Sequence, residues 1–261
     1  MDFLTVPERT ARSRDYGITS VIDLGVPIGQ LEQILEDYSA FIDFAKLGIG
    51  TAYVTPRLQE KINLYKAYGI KPYFGGTLFE KCYQQNKIPE YLQALRKLGI
   101  EWIEVSSGTI DIPLEERLKL IEMFKGEFHC LAEVGSKDRQ KEMDIFRWKR
   151  EIRLLLNAGS KYCITEGRES GTSGVYDQNG NVNSALVQTI VQDLDVKKII
   201  FEAPEPNQQM YFINQIGANV NLGNIKLTDV LLLETERRGL RCETFFLEDP
   251  HEHHMHSSSA N

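Results

Sequence analysis

Two charged runs of this chain have the residue types of a site that binds small anions with the help of a metal ion. One run is TEGRESG over residues 165–171, and the other, earlier in the chain, is AEVGSK over residues 132–137. Carboxylates such as those of Glu133 and Glu166 suit a hard divalent cation, and the planar guanidinium of Arg168 can bind an oxyanion through two hydrogen bonds. The two runs together predict a pocket for a small anionic substrate and a divalent cation.

The segments before these runs indicate how they are positioned. Residues 128–131 and 161–164 are short and mainly apolar, which is typical of buried parallel strands. In a parallel α/β barrel the ends of all strands meet at one rim, where active sites are built. We therefore expect both runs to converge on one mouth.

The rest of the chain repeats the same strand-then-helix rhythm. The predicted strands cover residues 18–23, 41–46, 70–74, 101–105, 128–133, 161–166, 198–202 and 219–222. The predicted helices cover residues 29–38, 56–68, 88–98, 113–125, 138–157, 184–194, 206–216 and 226–238. This alternation predicts an α/β fold, a single (β/α)₈ TIM barrel with parallel strands.

A doubly wound open sheet is the alternative fold, but residues 23–27 lack the glycine-rich dinucleotide fingerprint. We expect one catalytic barrel domain over residues 1–250. Residues 251–261 contain clustered histidines followed by small polar residues, and we expect a disordered or cloning-derived tail there. Residues 171–183 are rich in Gly, Ser, Asn and Asp and predict a long mobile loop over the rim.

Composition excludes several classes of partner. The chain has 261 residues and a net charge of -7, so it lacks the basic surface that nucleic-acid binding needs. Its N-terminal segment does not resemble a signal peptide, and no apolar run reaches the length of a membrane span. Four cysteines without CxxC spacing predict reduced thiols. We expect a cytoplasmic protein with neither a nucleic-acid nor a membrane partner.

Carboxylates at the predicted strand ends are candidate metal ligands. Buried carboxylates cost several kcal/mol unless cations offset them, and Mg²⁺ is the hard cation that fits oxygen donors of this kind. No His or Cys pair has zinc spacing. The candidate Mg²⁺ ligands are Asp23, Glu104, Glu133, Glu166 and Glu202.

Cationic and small polar groups at the same rim are candidates for the substrate and for catalysis. A lysine at a barrel mouth can transfer protons if its surroundings lower its pKa, which makes Lys137 the candidate general acid. Lys137, Arg168 and Glu169 are the catalytic candidates. The substrate-binding candidates are Lys46, Arg168, Ser170, Gly223 and Asn224.

At these residues the chain resembles the phosphosulfolactate synthase family. The resemblance covers nearly the whole barrel and is carried by residues 43–51, 75–80, 133–135, 166–171, 201–204 and 219–225. It implies a (β/α)₈ barrel and a Mg²⁺-dependent addition of sulfite to phosphoenolpyruvate that gives (2R)-phospho-3-sulfolactate. Lys137 would then donate the proton, and Lys46 and Arg168 would hold the anionic groups.

The resemblance also implies a lyase-type enzyme, a homo-oligomer, and a product used for coenzyme M biosynthesis in methane-forming archaea or for sulfolactate in bacteria. One residue departs from the family pattern, because Leu24 stands where the family has a polar residue after Asp23. Plant heat-stress proteins share this ancestry, so the alternative function is a diverged barrel that acts as a stress-related or interaction protein. A third possibility is a related enzyme that uses a different nucleophile.

Overall fold

The computed structural model describes residues 3–135 and 144–247. The eight strands are β1 Thr19–Asp23, β2 Phe44–Leu47, β3 Lys71–Phe74, β4 Trp102–Val105, β5 His129–Val134, β6 Tyr162–Thr165, β7 Ile199–Glu202 and β8 Leu222–Lys226. The helices are α1 Ile28–Tyr38, α2 Thr51–Val54, α3 Leu58–Ala67, α4 Gly76–Gln84, α5 Ile88–Leu98, α6 Leu114–Phe124, α7 Ile145–Ala158, α8 Ser184–Asp193, α9 Pro206–Ile216 and α10 Val230–Arg237.

The strands form one sheet in the order β3-β2-β1-β8-β7-β6-β5-β4, and every ladder recorded among the described residues is parallel. Strands β3 and β4 stand at the two ends of this order and lie next to each other, so the sheet is a nearly closed barrel with helices between successive strands. The predicted (β/α)₈ fold is confirmed. No helix in the described ranges is long and apolar enough to cross a membrane.

Local sequence explains where several helices begin and end. Asp144 caps α7 by accepting a hydrogen bond from the Arg147 amide at 2.9 Å, and α7 ends at Gly159, whose φ of 119° favours glycine. Helix α9 begins with Pro206 and carries a capping box between Glu205 and Gln208. These signals fix the ends of the helices that flank β6 and β7.

Two layers of apolar side chains surround the strands. The larger layer lies between the sheet and the helices, and it includes the buried thiols Cys130 and Cys163, which form no disulfide. The smaller layer fills the barrel interior and consists of Ile18, Phe44, Tyr73, Trp102, Leu131, Tyr162, Ile164 and Ile200. The rings of Phe44 and Trp102 meet edge to face with centroids 4.7 Å apart.

The inner layer explains why the mouth of the barrel is polar. Side chains two positions apart on a strand share one face. An inward apolar residue in the lower half of a strand is therefore followed, two positions on, by an inward residue at the mouth. The pairs are Phe44 and Lys46, Trp102 and Glu104, Leu131 and Glu133, Ile164 and Glu166, and Ile200 and Glu202.

The last strand differs from the prediction. Strand β8 begins at Leu222, whereas the sequence predicted a strand over residues 219–222 followed by a turn at Gly223 and Asn224. The Asn221 side chain accepts a hydrogen bond from the Ile18 amide at 3.0 Å and donates to the main-chain carbonyls of Lys197 and Ile199 at the start of β7, so it anchors the entry to the strand. Gly and Asn signalled a turn, but here they lie inside the strand.

Candidate functional site

A cleft opens at the carboxyl ends of the strands, and the space within it, including the part open to solvent, is about 510 Å³. Its lining combines buried carboxylates with cations and with glycine-rich backbone. The lining residues are Ile22, Lys46, Gly48, Ile49, Gly75, Gly76, Thr77, Glu104, Glu133, Glu166, Arg168, Glu169, Glu202 and Asn224. The two charged runs therefore meet at one mouth, as far as the structure describes them.

The central ion pair of the cleft joins β2 to β7 across the barrel. Lys46 Nζ lies 2.5 Å from Glu202 Oε1, and both side chains are almost completely buried. Burial alone lowers the pKa of Lys46, but the negative charges of Glu202, Glu104 and Glu133 raise it well above the ordinary lysine value. Lys46 is therefore held as a cation. Its ammonium has two further N–H groups that can serve an anion in the cleft.

Glu104 and Glu133 line the side of the cleft formed by β4 and β5. Glu104 Oε1 accepts a hydrogen bond from the Gly76 amide at 2.6 Å. Only glycine fits at position 76, because a β-carbon there would collide with Ser106 and Glu104. The Ser106 hydroxyl lies 2.6 Å from Glu133 Oε1, so the loop after β4 reaches the carboxylate of β5.

Glu80 holds the same loop from α4. Its Oε2 accepts hydrogen bonds from the amides of Thr109 and Ile110 at 2.7 and 2.8 Å, and its Oε1 lies 2.7 Å from the Ser106 hydroxyl. Glu80 is buried but does not line the cleft. It therefore positions Ser106, which in turn contacts Glu133.

Arg168 is the first residue of a turn, and its main-chain amide and carbonyl are both hydrogen-bonded to side chains of the cleft. Its amide donates to Glu166 Oε1 at 2.7 Å, and its carbonyl accepts a hydrogen bond from Asn224 Nδ2 at 3.2 Å. The preceding amide, that of Gly167, donates to Glu202 Oε2 at 2.9 Å. Arg168 is half-buried and lines the same cleft as Lys46.

Three residues of the cleft have left-handed backbone conformations that non-glycine residues seldom adopt. They are Ile49, Arg168 and Asn224, with φ values of 51°, 58° and 55°. A branched residue such as Ile49 is especially unfavourable there. Strained backbone of this kind collects at functional sites, where the surrounding structure holds it in place. The strain thus supports this cleft as the functional site.

Asp23 lies outside the cleft lining, although the sequence predicted it as a metal ligand. Its Oδ2 accepts hydrogen bonds from Lys61 Nζ at 2.7 Å and from the Tyr65 hydroxyl at 2.9 Å. Its Oδ1 accepts from the amides of Gly25 and Val26 at 2.8 and 2.9 Å. These four donors make Asp23 an anchor between β1, the following turn and α3. We therefore leave it out of the metal set proposed below.

Replacing Asp23 by asparagine should lower the free energy of unfolding by about 3–5 kcal/mol, because Lys61 would remain buried beside a neutral amide. The affinity of the folded variant for added Mg²⁺ should equal that of the wild type. Urea unfolding and a calorimetric titration measure the two quantities. A large loss of Mg²⁺ affinity with unchanged stability would make Asp23 a ligand after all.

The other predicted site residues divide into three groups. The cleft brings together Lys46, Glu104, Glu133, Glu166, Arg168, Glu169, Glu202 and Asn224. Glu169 is exposed at its edge, and Ser170 is exposed outside the lining, where its hydroxyl lies 2.9 Å from that of Thr172. Gly223 lies within β8 and does not line the cleft. Lys137 lies outside the described residues.

The segment over residues 171–183, which composition predicted as a long mobile loop, is anchored to the barrel by two buried residues. Val175 and Tyr176 are buried, and the Val175 amide donates to the Glu166 carbonyl at 3.0 Å. The Tyr176 hydroxyl donates to the main-chain oxygen of Glu202, and burial raises the pKa of Tyr176 well above its ordinary value. Composition predicted a loop but gave no sign that a valine and a tyrosine would anchor it.

The lining has the donor chemistry of a Mg²⁺ site, although not of a complete protein cage. Within residues 3–135 and 144–247 no three His, Cys, Asp or Glu side chains are grouped as metal ligands. Mg²⁺ commonly takes one or two carboxylates and completes its shell with water and substrate oxygens. Asn224 is buried, and its Oδ1 has no hydrogen-bond partner among the described residues. This oxygen suits a cation or a metal-bound water better than an anion.

The chain is similar to proteins of one known family. The model of the family described as (2R)-phospho-3-sulfolactate synthase (ComA) matches residues 7–243. The phosphosulfolactate synthase of Methanocaldococcus jannaschii is 45% identical over 235 residues, which cover 88% of this chain and 94% of that protein. The phosphosulfolactate synthase of Bacillus subtilis is 41% identical over 247 residues, which cover 94% of this chain and 98% of that protein.

A plant relative is much more distant. The protein HEAT-STRESS-ASSOCIATED 32 of Arabidopsis thaliana is 19% identical over 241 residues, which cover 82% of this chain and 84% of that protein. The sequence identity to the synthases is thus more than twice the identity to the plant protein, over a comparable length. Because the family model and the synthases match almost the whole described barrel, the chain belongs to the (2R)-phospho-3-sulfolactate synthase family.

Proposed function

We propose that this protein adds sulfite to phosphoenolpyruvate and releases (2R)-phospho-3-sulfolactate. Family membership makes the protein a synthase of the carbon–sulfur lyase class. The observation that carries the proposal is the meeting of Lys46 and Arg168 with four buried carboxylates in one cleft. Such a cleft can hold a substrate with several anionic groups only if cations stand among the carboxylates.

The reaction needs charge stabilisation and one proton transfer. The sulfur lone pair of sulfite forms a bond to the CH₂ carbon of phosphoenolpyruvate, and the electrons of the C=C bond move toward the carboxylate. The resulting enediolate-like anion then takes a proton at the carbon that bears the phosphate, and the C–O bond to phosphate stays intact. Fixed cationic groups lower the energy of that anion because they are oriented before the charge develops.

The cleft residues have separate roles in this proposal. Arg168 binds phosphate or carboxylate oxygens through its planar fork, and Lys46 places a fixed positive charge beside the developing anion. Glu202 holds Lys46, and Glu166 orients the backbone of Arg168. Lys137 is the proposed proton donor, on the basis of its sequence position and of the family resemblance. The roles of Glu169 and Ser170 remain predictions.

Mg²⁺ is the proposed cofactor. One or two of Glu104, Glu133, Glu166 and Glu202 would hold it, and Asn224 Oδ1 offers a neutral oxygen at the same mouth. When bound, Mg²⁺ would act as a Lewis acid that offsets negative charge on the substrate. The four buried carboxylates outnumber the two cationic side chains that line the cleft, Lys46 and Arg168, and a divalent cation would offset part of this negative charge.

Changing Arg168 to lysine should raise the KM for phosphoenolpyruvate by about 10- to 100-fold. A lysine keeps the positive charge but has a single point of contact, so the paired hydrogen bonds of the guanidinium are lost. Initial-rate kinetics at saturating sulfite measure the effect. Arg150→Lys is a suitable control, because it makes the same exchange on α7, away from the cleft. Unchanged kinetics in Arg168→Lys would remove the guanidinium from substrate binding.

Product formation tests the proposed function. Phosphorus NMR should show conversion of phosphoenolpyruvate to a sulfonated phosphate ester only when sulfite and Mg²⁺ are both present. If the protein neither turns over nor binds phosphoenolpyruvate, the alternative of a stress-related or interaction protein is favoured. Turnover with another nucleophile in place of sulfite would assign a related addition reaction instead.

A further inference from the structure

We infer that Gln208 is a positioning residue that fixes the turn bearing Arg168. Gln208 lies in the first turn of α9 and does not line the cleft, and it is 1% exposed. Its Nε2 donates to the carbonyl of Gly171 at 2.9 Å and to that of Gly180 at 3.2 Å. One side-chain amide thus joins two points of the loop after β6, Gly171 and Gly180, to the helix after β7.

The nitrogen and the oxygen of the Gln208 amide are both hydrogen-bonded at this place. Its two N–H groups meet two carbonyls, and its Oε1 accepts a hydrogen bond from the Glu205 amide at 3.2 Å. The orientation of the amide is fixed, because exchanging oxygen and nitrogen would bring oxygen against two carbonyl oxygens. Among the standard side chains of this size, only glutamine can satisfy these three partners.

Gln208 holds the end of the turn whose beginning is held by Asn224. The turn runs over residues 168–171, and the Gly171 amide lies 3.4 Å from the Arg168 carbonyl. Asn224 binds the carbonyl of Arg168 and Gln208 binds that of Gly171, so neither end can shift freely. Arg168 stands in a strained left-handed conformation, with a φ of 58°, which such restraint must maintain. Gln208 therefore helps to hold the backbone from which the Arg168 side chain projects.

The test rests on the proposed function and uses Gln208→Glu in the full-length protein. At about pH 8 a carboxylate would face the two carbonyl oxygens and repel them, so the KM for phosphoenolpyruvate should rise roughly tenfold or more, because small displacements of a binding group weaken its contacts. The value of kcat should change less. At about pH 6 a buried carboxyl more readily keeps a proton and can donate to one carbonyl, so part of the KM increase should disappear.

The matched control is Gln209→Glu. Gln209 is also buried in α9, but its Nε2 donates to the Ala203 carbonyl at 3.0 Å and not to a carbonyl of the loop. Both glutamate variants should lose thermal stability. Only Gln208→Glu should show an increase in KM, relative to the wild type at the same pH, that is larger at about pH 8 than at about pH 6. If the KM of folded Gln208→Glu equals that of the wild type at both pH values, Gln208 has no positioning role.

A second measurement keeps the inference separate from the proposed function. Gln208→Met leaves the carbonyls of Gly171 and Gly180 without this donor and introduces no charge. Proteolysis under native conditions should then cut within residues 171–183 at least several times faster than in the wild type, whether or not the protein turns over phosphoenolpyruvate. Equal cleavage rates would overturn the inference. Absence of turnover in the wild type would overturn only the proposed reaction.

Discussion

Replacing Lys46 by methionine should lower kcat/KM for phosphoenolpyruvate by about 10²–10³, the usual cost of removing one preorganised group that stabilises a developing anion. Methionine keeps much of the side-chain volume but removes the charge that Glu202 holds at 2.5 Å. The same variant should lose about 3–5 kcal/mol of unfolding free energy, because Glu202 would remain buried without its cation. Steady-state kinetics and urea unfolding measure the two effects.

Two control variants separate catalysis from stability. Lys71→Met makes the same exchange at the first residue of β3, toward the other end of the barrel, where Lys71 Nζ lies 4.9 Å from the centre of the Phe44 ring. Its turnover should be unchanged. Adding Glu202→Gln to Lys46→Met should restore part of the stability but not the activity. Wild-type activity in Lys46→Met would exclude Lys46 from the reaction.

The effect of Lys46 should not depend on pH near neutrality. Its pKa in the folded protein is raised well above the ordinary lysine value, with burial opposing and the neighbouring carboxylates prevailing. The stabilisation that the charge of Lys46 gives to the folded protein is therefore fully present below the pKa of Lys46 in the unfolded chain. It is lost only as pH rises through the higher pKa of Lys46 in the folded protein. The ratio of wild-type to Lys46→Met activity should stay constant between about pH 6 and 9.

Replacing Lys137 by alanine should lower turnover by about 10²–10⁴, the range expected for loss of a general acid. Phosphoenolpyruvate binding and the unfolding transition should stay close to those of the wild type, because the proposed role is proton transfer and not binding. Rapid-mixing kinetics and calorimetry measure turnover and binding. This prediction depends on the sequence and on the family resemblance, since Lys137 lies outside the described residues.

A matched control for that experiment is Lys161→Ala, which removes an exposed lysine just before β6, at the opposite end of the strand from the cleft. Its turnover should equal that of the wild type. Partial recovery of Lys137→Ala by added small primary amines would support a missing proton donor. Full activity of Lys137→Ala without any addition would assign proton transfer to another group.

The sequence predicted the barrel because its local signals agree with one another. Short apolar runs alternate with amphipathic segments, and most predicted strands lie within a few residues of those observed. The exception, β8, shows the limit of this reasoning. Gly223 and Asn224 are turn formers by propensity, but Gly223 packs where a β-carbon would lie 3.1 Å from Ile200, and Asn224 takes a left-handed conformation inside the strand.

The position of a site residue could be predicted from the sequence where the alternation of side chains along a strand determines which way its side chain points. Glu104, Glu133, Glu166 and Glu202 each follow an inward apolar residue by two positions, and the structure directs them to one mouth. Asp23 follows no such residue on β1; its four donors come from the adjacent turn and from α3, which sequence spacing does not bring together. The direction of a side chain follows from its position within the strand, whereas the partners of a buried anchor such as Asp23 depend on tertiary packing.

Gln208 and Tyr176 show the same limit for the loop after β6. Glu205 and Gln208 have the spacing of a capping box, which the structure forms at the start of α9. The pattern does not reveal that the same amide also binds two loop carbonyls, which are 37 and 28 positions away in sequence. Contacts of this kind depend on how the loop packs against α9, so only the folded structure identifies them.

A crystal structure with phosphoenolpyruvate and Mg²⁺ would test the central claim most directly. We expect the substrate in the cleft, with its anionic oxygens within hydrogen-bonding distance of Lys46 and Arg168. We also expect the metal ion on one or two of Glu104, Glu133, Glu166 and Glu202 and on oxygens of the substrate. Phosphoenolpyruvate bound away from this mouth, with Lys46 and Arg168 contacting no substrate atom, would contradict the account.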